Sequence, residues 1–143
     1  MAAGMALLLP LLPEDNPHRR EILADYRRMM ATLRKYQRPD GLWGRLVDEP
    51  DSWGETSGSA MFAFAFQNGI NNGLLPANEY RDCVRKAYAA IVARMDEHGN
   101  VSDVCEGTGK KNDHAYYLSR SRVNGDPHGQ ASLLWLCAAL WEE

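Results

Sequence analysis

Cysteine is scarce. Cys83, Cys105 and Cys137 are the only three, an odd and widely spaced set with no Cys-x-x-Cys pair. They argue against a disulfide framework or a zinc site, and reduced thiols fit a reducing, cytoplasmic compartment. The four histidines show no ligand spacing, and His98 and His114 read as solvated side chains. No metal or cofactor is therefore expected. A basic surplus is also missing. The net charge of −3 argues against nucleic acid or an anionic membrane surface as partner. The apolar run at the start, Met1 to Leu12, is too short to span a bilayer. It has no Lys or Arg before it and no small-residue cleavage site after it, so it reads as a buried helix rather than a leader. Gly107-Thr-Gly109-Lys-Lys lacks the spacing of a phosphate-binding loop.

What is present is helical periodicity of two kinds. Ala2 to Leu12 is apolar on every side, and Pro10 should tighten or end it early. His18 to Gln37 is amphipathic, with Ile22, Tyr26, Met29, Leu33 and Tyr36 opposite a basic face; Asn16 and Pro17 suit its start. Ser57 to Asn71 is again apolar all round, with Thr56 or Ser57 as the expected N-cap. Ala77 to Asp96 is amphipathic through Tyr80, Cys83, Val84, Ala87, Tyr88, Ile91 and Met95. Asp126 then caps a last helix, with Pro127 at its first position and an all-apolar stretch from Ala131 to Leu140 that should be buried.

The order of these helices is informative. Links from apolar to amphipathic helices are about five residues, and links the other way about twenty. Short strands are expected within Leu42–Val47 and Val101–Cys105. An inner ring of buried helices backed by an outer amphipathic ring predicts this pattern. The fold class is thus all-α, an α/α barrel or toroid built as one domain over residues 1–143. Long loops then gather at the N-termini of the inner helices, where free backbone N–H groups and helix dipoles favour anionic ligands.

The stretch from Gln37 to Phe66 forms one wall of the expected cleft. Trp43 and Trp53 sit in its loop and are candidate aromatic platforms for a bound ligand. Glu55, Thr56 and Ser57 open the third helix. Tyr116 lies in the second long loop beside Tyr117. His128 stands at the start of the last helix, where its imidazole would meet a carboxylate or hydroxyl, and Gly129 would admit a close neighbour.

Several segments, in order, resemble a known family. They are Tyr36-Gln37-Arg-Pro-Asp-Gly-Leu-Trp43, Glu55-Thr-Ser-Gly-Ser-Ala-Met-Phe-Ala-Phe64, Gly69-Ile70 to Gly73-Leu74, Cys105-Glu-Gly-Thr-Gly109, Tyr116-Tyr117 and Asp126-Pro-His-Gly129. The chain resembles the C-terminal half of the unsaturated rhamnogalacturonyl hydrolases and the related unsaturated glucuronyl hydrolases. The resemblance implies a six-hairpin α/α barrel, of which five helices make about half. It implies an oligosaccharide with an unsaturated uronyl end as partner, as in pectin degradation. It also implies hydration of the C4=C5 enol ether by one aspartate acting as acid and then base.

In the family that aspartate belongs to the N-terminal half, and an Arg-Gly-Asn-Gly-Trp segment precedes the helix that begins here at Ala2. No residue of this chain is therefore assigned the catalytic role, and the isolated chain is expected to be inactive. The open edges of a half barrel predict self-association. Two alternatives stand beside this reading. One is a non-catalytic or truncated carbohydrate-binding protein. The other is a terpene-cyclase-like α/α barrel, because Gln37 to Gly44 also resembles the Gln-x-x-Asp-Gly-x-Trp-Gly repeat of those enzymes.

Overall fold

The computed structural model describes residues 1–141. Five longer helices carry the fold: α1 (Ala2–Leu11), α2 (Arg19–Tyr36), α3 (Thr56–Asn71), α4 (Ala77–Val92) and α6 (Pro127–Trp141). A one-turn helix, α5 (His114–Leu118), lies in the second long loop. Two antiparallel ribbons complete it, β1 (Trp43–Gly44) with β2 (Gly54–Glu55), and β3 (Val104–Cys105) with β4 (Arg122–Val123).

Helix α3 is the centre. It packs against α1, α4 and α6, and α1 also packs on α2. Its Ala60, Ala63, Phe64, Ala65 and Phe66 are buried, so this helix is covered on every side. The amphipathic helices α2 and α4 lie outside, burying Tyr26, Met30 and Leu33, and Tyr80, Cys83, Val84, Ala87 and Ile91. The inner and outer layers expected from the alternation are therefore present.

Polar groups lock the layers. Tyr26 donates to the Ala65 carbonyl at 2.7 Å, and burial pushes its phenol pKa up. Pro10 lies inside α1 and has no N–H to give the Ala6 carbonyl. Asn68 of α3 fills that position, its amide donating to Ala6 O at 2.7 Å. Asn71 donates likewise to Ala139 O of α6 at 2.7 Å. Arg19 closes the other end of α1, donating to the carbonyls of Leu9 and Leu12.

Three expectations need correction. Helices α1 and α6 are not buried all round. Leu7, Leu8 and Leu11 of α1 and Leu134 and Trp135 of α6 are exposed, because among the described residues no element covers those faces. Cys137, expected on a buried face, is exposed with them, while Cys83 is buried. Helix α4 stops at Val92, short of Asp96. Asp96 instead folds a tight turn, its carboxylate accepting from the backbone N–H groups of His98 and Asn100.

Candidate functional site

Both long loops run to the same end of α3. Thr56 N donates to Asp103 O at 3.0 Å, and Thr56 Oγ1 to Ser102 O at 2.8 Å. Between the loops and the starts of α3 and α6 lies a cavity of about 310 Å³. Trp43, Gly44, Arg45 and Val47 line it from the first loop, and Cys105, Glu106, Gly107 and Thr108 from the second. Glu55, Ser57, Gly58, Ser59 and Phe62 come from the mouth of α3, and His128 from α6.

The turn before the cavity is built by geometry. Gly41 has φ +91°, and a Cβ there would stand 2.5 Å from the Lys86 carbonyl oxygen. Glycine is thus the residue that fits, both for conformation and for space. Gln37 donates to Gly41 O at 2.9 Å and to Cys83 O at 2.8 Å, and the Asp40 carboxylate accepts from Leu42 N at 3.1 Å. The Gln-x-x-Asp-Gly motif therefore ties the first loop to α4.

Glu55 is the N-cap of α3, in place of the expected Thr56 or Ser57. Its Oε1 accepts from Ser57 N at 3.1 Å, Ser57 Oγ at 2.6 Å and Cys105 N at 3.0 Å. Its Oε2 accepts from Gly58 N at 2.5 Å. A carboxylate has about four acceptor sites, so Glu55 is saturated. The free helix N-terminus expected to attract anions is already neutralised by this internal anion. The start of α6 is treated alike: Asp126 Oδ1 accepts from His128 N at 3.1 Å and lies 2.5 Å from His128 Nδ1.

The other candidate residues separate into two groups. Glu55, Ser57 and His128 meet at the cavity. Trp43 also touches it, but not as an exposed platform. Its ring is 1% exposed, packed on Phe62 and Phe66 at centroid distances of 5.5 and 5.9 Å. Its indole N–H donates to Leu33 O at 2.7 Å, which makes Trp43 a core residue with one edge at the cavity. Thr56 is buried and spends its hydroxyl on Ser102. Trp53 and Tyr116 do not line the cavity. Trp53 lies under the Arg122 guanidinium at 4.7 Å, and Tyr116 packs edge-on to Tyr117 at 5.3 Å and under Arg120 at 5.0 Å.

Arg45, Cys105 and Thr108 are the residues that sequence reasoning missed. Arg45 Nε donates to Cys105 Sγ at 3.0 Å, and Nη2 to Thr108 Oγ1 at 2.9 Å. Nothing local announces a contact between residues 60 apart in the chain. His114, expected in solvent, lies 3.0 Å from Glu49 and links the two loops at the surface. Among the described residues, no group of three or more His, Cys, Asp or Glu side chains could hold a metal ion. No helix among them is long and apolar enough to cross a membrane.

Residues 1–141 match the family described as Glycosyl Hydrolase Family 88. The chain belongs to that family. It is 38% identical over 100 residues to the unsaturated 3S-rhamnoglycuronyl hydrolase of Formosa agariphila, covering 68% of this chain and 26% of that protein. It is 35% identical over 132 residues to the unsaturated rhamnogalacturonyl hydrolase YesR of Bacillus subtilis, covering 91% of this chain and 36% of that one. The fold superposes on a solved structure from Salmonella enterica serovar Paratyphi A, described as a possible member of the GH105 family. That match has a TM-score of 0.86 at 27% identity and covers 98% of this chain and 38% of the other. The chain thus spans well under half the length of these relatives. Its helices form a partial α/α barrel of the kind these relatives share. Family membership also sets aside the terpene-cyclase resemblance, which rested on a single turn now seen to be structural.

Proposed function

We propose that this chain forms the sugar-facing wall of a hydrolase that removes a terminal unsaturated uronic acid from pectin- or glycosaminoglycan-derived oligosaccharides, and that the chain alone does not turn that substrate over. Hydrating a C4=C5 enol ether needs a carboxyl that delivers a proton to C4. The same group then accepts one from the water that adds at C5. Such a group must present an uncommitted oxygen to the sugar.

The observation that carries the second half of the proposal is that Glu55, the buried carboxylate at this cavity, has no oxygen to spare. Glu55 accepts from four donors. Glu106 is exposed and engages Arg120 through Oε2 alone, at 3.2 Å. Asp126, behind His128, is held by that residue's ring and backbone. What remains at the cavity suits binding: the Ser57 hydroxyl, the His128 imidazole, the Arg45 fork and the apolar edges of Trp43 and Phe62. Few polar groups set among apolar walls are what a small-molecule site needs. The same balance supports the alternative of a carbohydrate-binding protein without turnover, which is how the isolated chain should behave.

The test is direct. The chain is incubated with an unsaturated galacturonyl-rhamnose disaccharide, and the ultraviolet absorbance of the double bond is followed. The expected result is no decay above the uncatalysed rate. A robust decay would show that a carboxylate of this chain serves as the acid, and would overturn the proposal.

A further inference from the structure

We infer that Arg45 reads an anionic group on the sugar, a carboxylate or a sulfate ester, and so selects acidic over neutral saccharides. The inference rests on the cavity being a sugar site, and it names the charge that site prefers. It follows from an account of the charges around the cavity. The two helix N-termini, the usual places for an anion, are occupied by Glu55 and by Asp126. The nearby cations are mostly spent. Arg120 is bound to Glu106 and to the Gly107 carbonyl, Arg122 to Asp103, and His128 to Asp126.

Arg45 is different. Its partners are all uncharged: the Cys105 thiol, the Thr108 hydroxyl and the face of Tyr117, 5.7 Å from the guanidinium carbon. They fix the direction of the fork without neutralising it, and no ion pair to Arg45 forms among the described residues. A guanidinium carries five N–H donors, and these bonds use two. The remaining donors can take an oxyanion in the bidentate manner that arginine favours. Cys105 and Thr108 are positioning residues in this scheme. Glu55 supports them, because its Oε1 accepts the Cys105 N–H and holds the second loop at the cavity.

The experiment uses the full chain and calorimetric or NMR titration. The probes are galactose, galacturonate, galactose 6-sulfate and inorganic sulfate. The native chain should bind galacturonate, galactose 6-sulfate or both about ten- to a hundredfold tighter than galactose, the range expected of a charge-assisted hydrogen-bonded pair. Whichever acid gains more identifies the source of the anion. In R45Q the gap between acid and neutral sugar should close, whatever the level of galactose binding, and R45K should recover part of it. A gap that survives in R45Q overturns the role of Arg45 and leaves the sugar site standing. Binding of sulfate that is lost in R45Q, with no saccharide bound, overturns the sugar reading and keeps the anion site. Absence of all binding overturns both. Where R45Q loses galactose binding through a damaged fold, R45K decides: a gap below the native one supports the role, and a native gap overturns it.

Discussion

The loop over residues 37–55 turns its apolar side chains into the protein, whereas residues 106–115 of the second long loop are all exposed. Leu42, Trp43 and Ser52 of the first are buried, and the Ser52 hydroxyl accepts from Leu46 N at 2.8 Å. The tip of the second is held by surface contacts, Arg120 on Glu106 and the Tyr117 hydroxyl on Lys111 N. One wall of the cavity is therefore an extension of the core. The other is buried only at its base, at Val101, Val104 and Cys105. A site built this way keeps one face constant and leaves the opposite face to be adjusted by surface substitutions.

That comparison can be broken most forcefully at Trp43. Trp43→Ala removes a buried ring that touches Phe62 and Phe66 and a hydrogen bond to Leu33. It should cost about 3–5 kcal/mol of global stability, read as a lowered urea midpoint. A change under about 1 kcal/mol would mean that the first loop is no part of the core. Glu55→Ala acts at the junction of the two loops. It leaves three backbone N–H groups, of Ser57, Gly58 and Cys105, without their acceptor. A loss of about 2–4 kcal/mol is expected. Faster hydrogen exchange should appear at Cys105 as well as at the start of α3, since the bond crosses between loops.

The smallest effect belongs to the second loop. The backbone N–H of Asn100, its side-chain amide and the His98 N–H all donate to Asp96, which holds its carboxyl below the usual carboxylate range. A depressed carboxylate contributes stability that is present above its unfolded pKa of about 3.9 and lost as pH falls through the folded value. Acidification below about pH 4 should therefore loosen the 96–100 turn in the native chain. In Asp96→Asn that dependence should be absent. Exchange rates at Asn100, followed against pH, provide the check. An equal dependence in both chains would assign the effect elsewhere.

The layer order was legible because its cause is local. Helices apolar on all sides alternate with helices carrying Arg or Lys on one face, and that contrast survives without coordinates. The N-cap of α3 was misread for a local reason as well. Ser and Thr lead the usual caps, and the carboxylate just before them was counted among the cleft residues instead. Trp43 was misread because Asp-Gly beside it marks a turn. What buries the ring comes from Phe62 and Phe66, about twenty residues later. Helix α5, five residues long, is too short to show a period. Arg45 was invisible as a site residue because its meaning lies in what it lacks, a carboxylate partner.

The gap left by Pro10 has one more consequence. Helix α1 offers α3 a surface of alanines and leucines with almost nothing to distinguish one turn from the next. Sliding it by a turn, about 5.4 Å, would exchange like for like in the packing. It would also strand the Ala6 carbonyl and the Asn68 amide that now meet. A proline that weakens the helix in isolation thereby gives the packing of α1 on α3 its register, through one polar notch cut into an otherwise featureless apolar rail.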